Sequence, residues 1–222
     1  MSIAENYQKI RKEIPDYAKI VIAGKTRTAE ELAAVIDAGA TDMGENYVQE
    51  AEKMRQELGE KAKQVRWHMI GTLQKNKINK ALRLFDIIQT IDSFELAEAV
   101  DKRAAGIKEI IPVLVEINSG KESKKSGVMP AQAEELIRRI TTLENLRVKG
   151  LMTMGPRFGN PANARPYFKE TKRIFEKIKS LNLPNVEMQV LSMGMSNSYK
   201  VAIEEGSNMV RIGTAIFGER KV

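Results

Sequence analysis

Lys25 ends the segment KIVIAGK (19–25), where a β-branched apolar run gives way to a helical pattern. An amine at a strand end, desolvated or set beside another cation, keeps enough free base near neutral pH to attack a carbonyl. Two later segments offer anion chemistry. LSMGMSNS (191–198) leaves a strand through Gly194 and enters a helix on hydroxyls, so Ser192, Ser196 and main-chain N–H groups can converge on one anion. VRIGTAIFG (210–218) repeats the arrangement with Gly213 and Thr214. Arg211 interrupts the apolar run between them. A buried guanidinium needs an anion, a ring nitrogen or a carboxylate such as Glu45, because a lone buried charge costs roughly several kcal/mol.

Composition narrows the chemistry. The chain has 222 residues and no cysteine, which removes disulfides, thiolate nucleophiles and thiolate metal sites. His68 is its one histidine, so neither a multi-histidine metal centre nor a histidine triad with a spare base is expected. A balance of 36 basic against 29 acidic residues gives a net charge of +7. The basic residues are scattered along helical segments such as KNKINKALR, and no basic patch interleaved with aromatics is present, so nucleic acid is not an expected partner. No run is long and apolar enough for a membrane helix, and the N-terminal residues are charged and helical in pattern, unlike a secretory signal. A cytoplasmic protein is expected.

These residues need a frame, and the sequence supplies one. After an N-terminal helix at about 3–14, β-branched runs recur at 19–24, 41–45, 66–71, 86–91, 110–117, 147–153, 186–192 and 209–213, each followed by a segment of helical periodicity. No GxGxxG follows the first run, and the length suits a minimal barrel. The expected fold is a single (β/α)8 TIM barrel over 1–222 with an extra N-terminal helix. Barrels gather ligands at the carboxyl ends of their strands, which here carry Lys25, Asn46, His68 and the two glycine-hydroxyl turns on strands 7 and 8, the usual place of a barrel phosphate site.

A strand-end lysine, a phosphate cradle and an arginine on one rim describe a pocket for a phosphorylated aldehyde held as a Schiff base. Pyridoxal 5′-phosphate meets these demands. A Schiff-base aldolase acting on sugar phosphates shares the lysine and the cradle, and is distinguished by a colourless protein.

The segments GENYVQE (44–50), WHMIGTLQKNK (67–77), KSGV (125–128), GLMTMGP (150–156) and LSMGMSNSYKVAIEEGSNMVRIGTAIFGER (191–220), taken in this order, closely resemble the pyridoxal phosphate homeostasis proteins, whose barrel is that of the N-terminal part of bacterial alanine racemase. The resemblance spans about residues 5–220. It implies that Lys25 carries the cofactor covalently, that Ser192, Ser196, Gly213 and Thr214 surround the phosphate, with the Gly194 turn counted among the cofactor-binding residues, that Arg211 faces the pyridine nitrogen, and that Asn46 and His68 line the pocket near the ring. His68 stands open between orienting the ring and transferring a proton. The sequence departs from the resembling pattern at Gly24, where a serine is common, and at Ser198, where an aspartate is usual.

The resemblance implies a carrier in intracellular vitamin B6 homeostasis, delivering the cofactor to apo-enzymes, as a monomer or weak dimer. An arginine opposite the pyridine nitrogen disfavours its protonation and so weakens the ring as an electron sink. The racemase also draws a tyrosine from a second domain across its dimer, which a chain ending after the eighth unit is expected to lack. An amino-acid racemase or other aldimine enzyme is the alternative, with Tyr47, Tyr167 and Tyr199 as internal candidates for the missing acid or base. Lys121, Lys124 and Lys125 cluster in the loop after strand 5, as a solvated loop or as a second phosphate contact.

Overall fold

Eight short parallel strands close on themselves in the computed structural model of the protein, which describes residues 1–122, 126–156 and 159–219. They are β1 (Lys19–Ala23), β2 (Asp42–Glu45), β3 (Arg66–Met69), β4 (Ile87–Ile91), β5 (Ile111–Ile117), β6 (Leu146–Thr153), β7 (Val186–Ser192) and β8 (Met209–Ile212), in chain order around the ring. β1 seals the barrel: Val21 lies in register with Asp42 of β2 on one side and Arg211 of β8 on the other. The fold is the expected barrel, with every strand within two residues of its expected limits.

Each strand is followed by a helix: α2 (Ala29–Asp37), α3 (Val48–Leu58), α4 (Ile78–Leu84), α5 (Phe94–Ile107), α6 (Ala133–Ile140), α7 (Arg165–Ser180), α8 (Tyr199–Glu204) and α9 (Thr214–Phe217). α1 (Ile3–Glu13) precedes β1 and packs on α2 and α9, anchored by Asn6 Nδ2 donating to the Ile216 carbonyl (2.9 Å) and the Tyr7 hydroxyl donating to that of Gly39 (3.2 Å). It covers flank that the four-residue α9 is too short to shield. Ser2 with Glu5, and Thr28 with Glu31, form reciprocal capping boxes that fix where α1 and α2 begin. 3-10 turns at Lys75–Lys77, Pro130–Gln132 and Pro161–Ala164 lead into α4, α6 and α7. A proline leads the latter two turns, its fixed φ suiting a helix start that it cannot donate to.

Side-chain alternation divides the interior into two layers. Ile20 and Ile22 of β1 face the helices and join the large outer core, where Leu32, Ile78 and Phe168 are fully buried; burying such a side chain contributes roughly 1.5–3 kcal/mol. Val21 and Ala23 face the barrel axis, where Val21 packs with Ile70 and Met209. The outer layer carries most of the apolar core, and the inner layer sets polar side chains beside that small cluster, where Gln89 Nε2 donates to Met209 Sδ (3.3 Å). Lys124 and Lys125 lie outside the described residues. Lys121 sits in an exposed turn, its N–H donating to the Asn118 carbonyl (3.1 Å). No helix among the described residues is long and apolar enough to cross a membrane.

Candidate functional site

A cavity of about 550 Å³ opens at the carboxyl ends of the strands. Its walls bring together Lys25 beyond β1, Asn46 beyond β2, Arg211 from β8, and Ser196, Gly213 and Thr214 from the turns after β7 and β8. Lys25 faces the axis because it continues the inward alternation of Val21 and Ala23. Six of the residues singled out in the sequence therefore share one wall.

The turns after β7 and β8 meet through a hydroxyl. Ser196 Oγ accepts from the main-chain N–H groups of Gly213 and Ala215, each at 3.2 Å. Two main-chain donors thus converge on one oxygen at the cavity wall, an arrangement suited to an oxygen of a phosphate. Gly194 stands behind this wall. It adopts φ +92°, and a Cβ there would fall 2.6 Å from that of Ala202 in α8, so glycine is needed for the turn to pass under the helix.

Arg211 crosses from the cavity into a polar chain through the barrel. Its Nη1 donates to the Ser192 carbonyl (3.0 Å) and Oγ (2.7 Å), and its Nη2 to the Thr153 carbonyl (2.8 Å). Three of its five N–H groups are used. Burial lowers its pKa to about 10, the nearby Glu116 carboxyl opposing that shift, so it remains cationic at neutral pH. Its partners are these oxygens, not Glu45. Ser192 Oγ in turn donates to Gln89 Oε1 (2.7 Å), Gln89 Nε2 lies 2.8 Å from His68 Nδ1, and His68 Nε2 lies 2.9 Å from Asp42 Oδ1.

Three expected positions lie off the cavity wall. Ser192 and His68 do not line the cavity; both lie a layer below it, each with its polar atoms engaged. Since Gln89 supplies an N–H to Nδ1, the histidine proton sits on Nε2 and points at Asp42. Burial depresses the His68 pKa and the Asp42 bond only partly offsets it; burial would raise Asp42, but hydrogen bonds from His68 and Thr41 outweigh it and hold that carboxyl below its usual range. His68 is a neutral frame member, with Arg66 at 2.9 Å as the counter-ion of Asp42. Gly194 also stands behind the wall and not on it.

The cavity holds residues that the sequence did not single out. Arg27 reaches it two positions beyond Lys25, stacking 5.1 Å over the Phe217 ring and donating to the Gly218 carbonyl (2.7 Å). Its two-residue spacing from Lys25 was the available signal. Met154, Met195, Asn197 and Glu219 also line it; nothing in their types marks them for it.

A second lobe of about 390 Å³ shares Asn46, Ile70 and Met154 with the first and adds Tyr47, Thr90 and Glu116. Burial, with Asp92 nearby, pushes the Glu116 carboxyl up to about 7. Burial, with Glu50 nearby, pushes Glu45 up to about 8. Tyr47 is exposed at the edge of this lobe. Tyr199 is committed elsewhere, donating to Glu13 Oε2 (2.6 Å), and Tyr167 packs beside Gly120 outside both lobes.

The whole chain finds relatives of this architecture. Residues 1–221 match the model of the alanine racemase N-terminal domain. The chain is 40% identical to the pyridoxal phosphate homeostasis protein of Aquifex aeolicus over 204 residues, covering 92% of this chain and 88% of that one. It is 36% identical over 234 residues to that of Escherichia coli, covering 98% and 97%. Among solved structures, PipY of Synechococcus elongatus with PLP bound superposes with a TM-score of 0.89 at 29% identity, covering 98% of this chain and 100% of that one. Alanine racemase of Clostridium difficile shares the fold, with a TM-score of 0.83 at 16% identity over 100% of this chain and 57% of that one. Coverage is nearly complete on both sides of the homeostasis-protein matches, and the chain belongs to the pyridoxal phosphate homeostasis protein family, built on the barrel of the alanine racemase N-terminal domain.

Proposed function

We propose that this protein binds pyridoxal 5′-phosphate in the rim cavity, attaches it covalently at Lys25, and serves vitamin B6 homeostasis in the cytoplasm as a carrier that hands the cofactor to apo-enzymes. The observation that carries the reading is one cavity wall joining an amine, a cationic guanidinium and two main-chain donors already converging on an oxygen. A single barrel acting as a monomer or weak dimer suffices for this role. When bound, the group supplies an aldehyde that an amine captures reversibly and a pyridine ring able to withdraw electrons.

The residues divide the work. Ser196, Gly213, Thr214 and the Ala215 N–H would hold the phosphate, Asn46 would flank the ring, and Lys25 would supply the amine. Arg211 stays charged; facing the pyridine nitrogen, it would disfavour a proton there and so favour storage over turnover. His68 and Ser192 act only by holding Arg211 in place.

A racemase remains the second reading because Tyr47 and Glu116 flank the adjoining lobe. Both readings meet one experiment. The purified protein incubated with the cofactor should absorb at roughly 420 nm, bleach on borohydride reduction with the adduct on the Lys25 peptide, and do neither as Lys25→Ala. Failure of the wild type to take up the cofactor would overturn the proposal. Appearance of D-amino acid from L-amino acid above the Lys25→Ala background would replace the carrier with the racemase.

A further inference from the structure

Two side-chain oxygens are buried without a hydrogen-bond partner among the described residues, Oε2 of Glu45 and Oε2 of Glu50. Glu45 ends β2 on its outer face, is 1% exposed and does not line the cavity. The room it occupies is left by Gly24: a Cβ there would lie 2.5 Å from Glu45 Oε1 and 3.3 Å from the Leu32 methyl carbons of α2. Gly24 precedes Lys25, and its N–H donates to the Gly44 carbonyl (2.9 Å), so Glu45 and Lys25 end adjoining strands, the first on the outer face and the second on the cavity wall. The elements packed around the carboxyl bring it two charged groups, Glu50 from α3 and Lys25 from the end of β1, of which Glu50 acts more strongly. α2 meets it with Leu32, and β3 pairs alongside through Met69.

We infer that Glu45 is a positioning residue for Lys25: its carboxyl, filling the space that Gly24 leaves, stays protonated at neutral pH and so withholds the negative charge that would fix the neighbouring amine as an ammonium. An ionised carboxylate with an unpaired oxygen, buried beside a second carboxyl, is the costly state; the neutral acid is the favoured one. Burial and Glu50 together push its titration up to about 8, outweighing the Asn46 N–H that donates to it and the Lys25 cation. Below that pH Glu45 is uncharged and Lys25 sheds its proton unopposed by it. Above it the new carboxylate draws the proton back onto the amine. The pair titrates as a coupled unit, with the amine lagging as the acid ionises.

The inference rests on Lys25 being the reactive amine of the proposed function, and its test does not need the cofactor. Competitive acetylation of the apo-protein, read by mass spectrometry on the Lys25 peptide from about pH 6 to about pH 10, reports the free-amine fraction directly. Wild type and Glu45→Gln should coincide below about pH 7 and then separate, the variant reacting roughly two- to fivefold faster at about pH 9.5. In a Glu50→Gln background the divergence caused by Glu45→Gln should begin at lower pH, a signed shift that a merely structural role would not produce. Coincident profiles across the range overturn the inference, and leave the proposed function standing if Lys25 still takes up cofactor. Should Glu45→Gln not fold, carbon-13 NMR of glutamate carboxyls in the wild type decides: a resonance titrating near 8 is expected, and none titrating above about 7.5 overturns it.

Discussion

The polar chain through the barrel and the carboxyls near its rim are buried alike, yet only the chain is hydrogen-bonded at every step. Asp42, His68, Gln89, Ser192 and Arg211 hand bonds across from β2 to β8, and Thr153 extends the chain to the Ile117 carbonyl at 2.8 Å. Glu45 keeps an oxygen with no donor, and Glu116, 3% exposed, has burial as the largest influence on its titration. A continuous hydrogen-bonded network behaves as one rigid piece, because moving any member strands its neighbours without partners. A buried acid whose burial outweighs its donors has its charge set by pH near neutrality. The first set therefore fixes where Arg211 points, and the second leaves the electrostatics of the rim adjustable.

The most direct way to break this contrast is Arg211→Ala. It opens a cavity and strands Ser192 and the Thr153 carbonyl, so urea unfolding should show a loss of about 3–5 kcal/mol. A loss below about 1 kcal/mol would mean that the chain is not the frame.

The contrast sharpens on a pH scale because the two sets have opposite signs. Glu45 and Glu116 have folded pKa values of about 8 and about 7 against ordinary values near 4.5. The stability they contribute is fully present below their unfolded value and is lost as pH rises through the folded ones. His68, depressed from 6.5, contributes stability above that value that is lost as pH falls. Across about pH 5 to about pH 8.5 the double variant Glu45→Gln, Glu116→Gln should flatten the alkaline decline by on the order of 2–4 kcal/mol and leave the acid-side slope in place. An unchanged alkaline slope in unfolding experiments would place the carboxyls in the satisfied set.

Much of this was legible in the sequence. The strands were, because β-branched runs closed by glycine or asparagine have few alternatives in an α/β chain, and Lys25, Arg211, Ser196, Gly213 and Thr214 followed from the ends of those strands. Depth was not legible. His68 and Ser192 have the residue types of site groups but sit a step below the rim, while Ile70, two residues beyond His68, lines the cavity. Nothing in one strand states how far its neighbours are staggered. Glu45 was legible as a strand-end residue and a candidate partner for Arg211, but not its setting, which depends on how α2 and α3 pack against Gly24 and which no local pattern encodes.

Ser196 stands between the two sets, and its removal is the smallest and most informative change. Its hydroxyl oxygen is satisfied by the Gly213 and Ala215 N–H groups, donors that an anion could take over. Ser196→Ala should cost about 1 kcal/mol in phosphate-free buffer, as the loss of a comparable cap does. Added inorganic phosphate should then stabilise the variant, because an anion seated on the freed N–H groups binds the folded state alone. The deficit in melting temperature should shrink as phosphate rises. A deficit that stays constant would show those two N–H groups to be turned away from the cavity and engaged only in joining the turns, which would move Ser196 into the frame with Ser192.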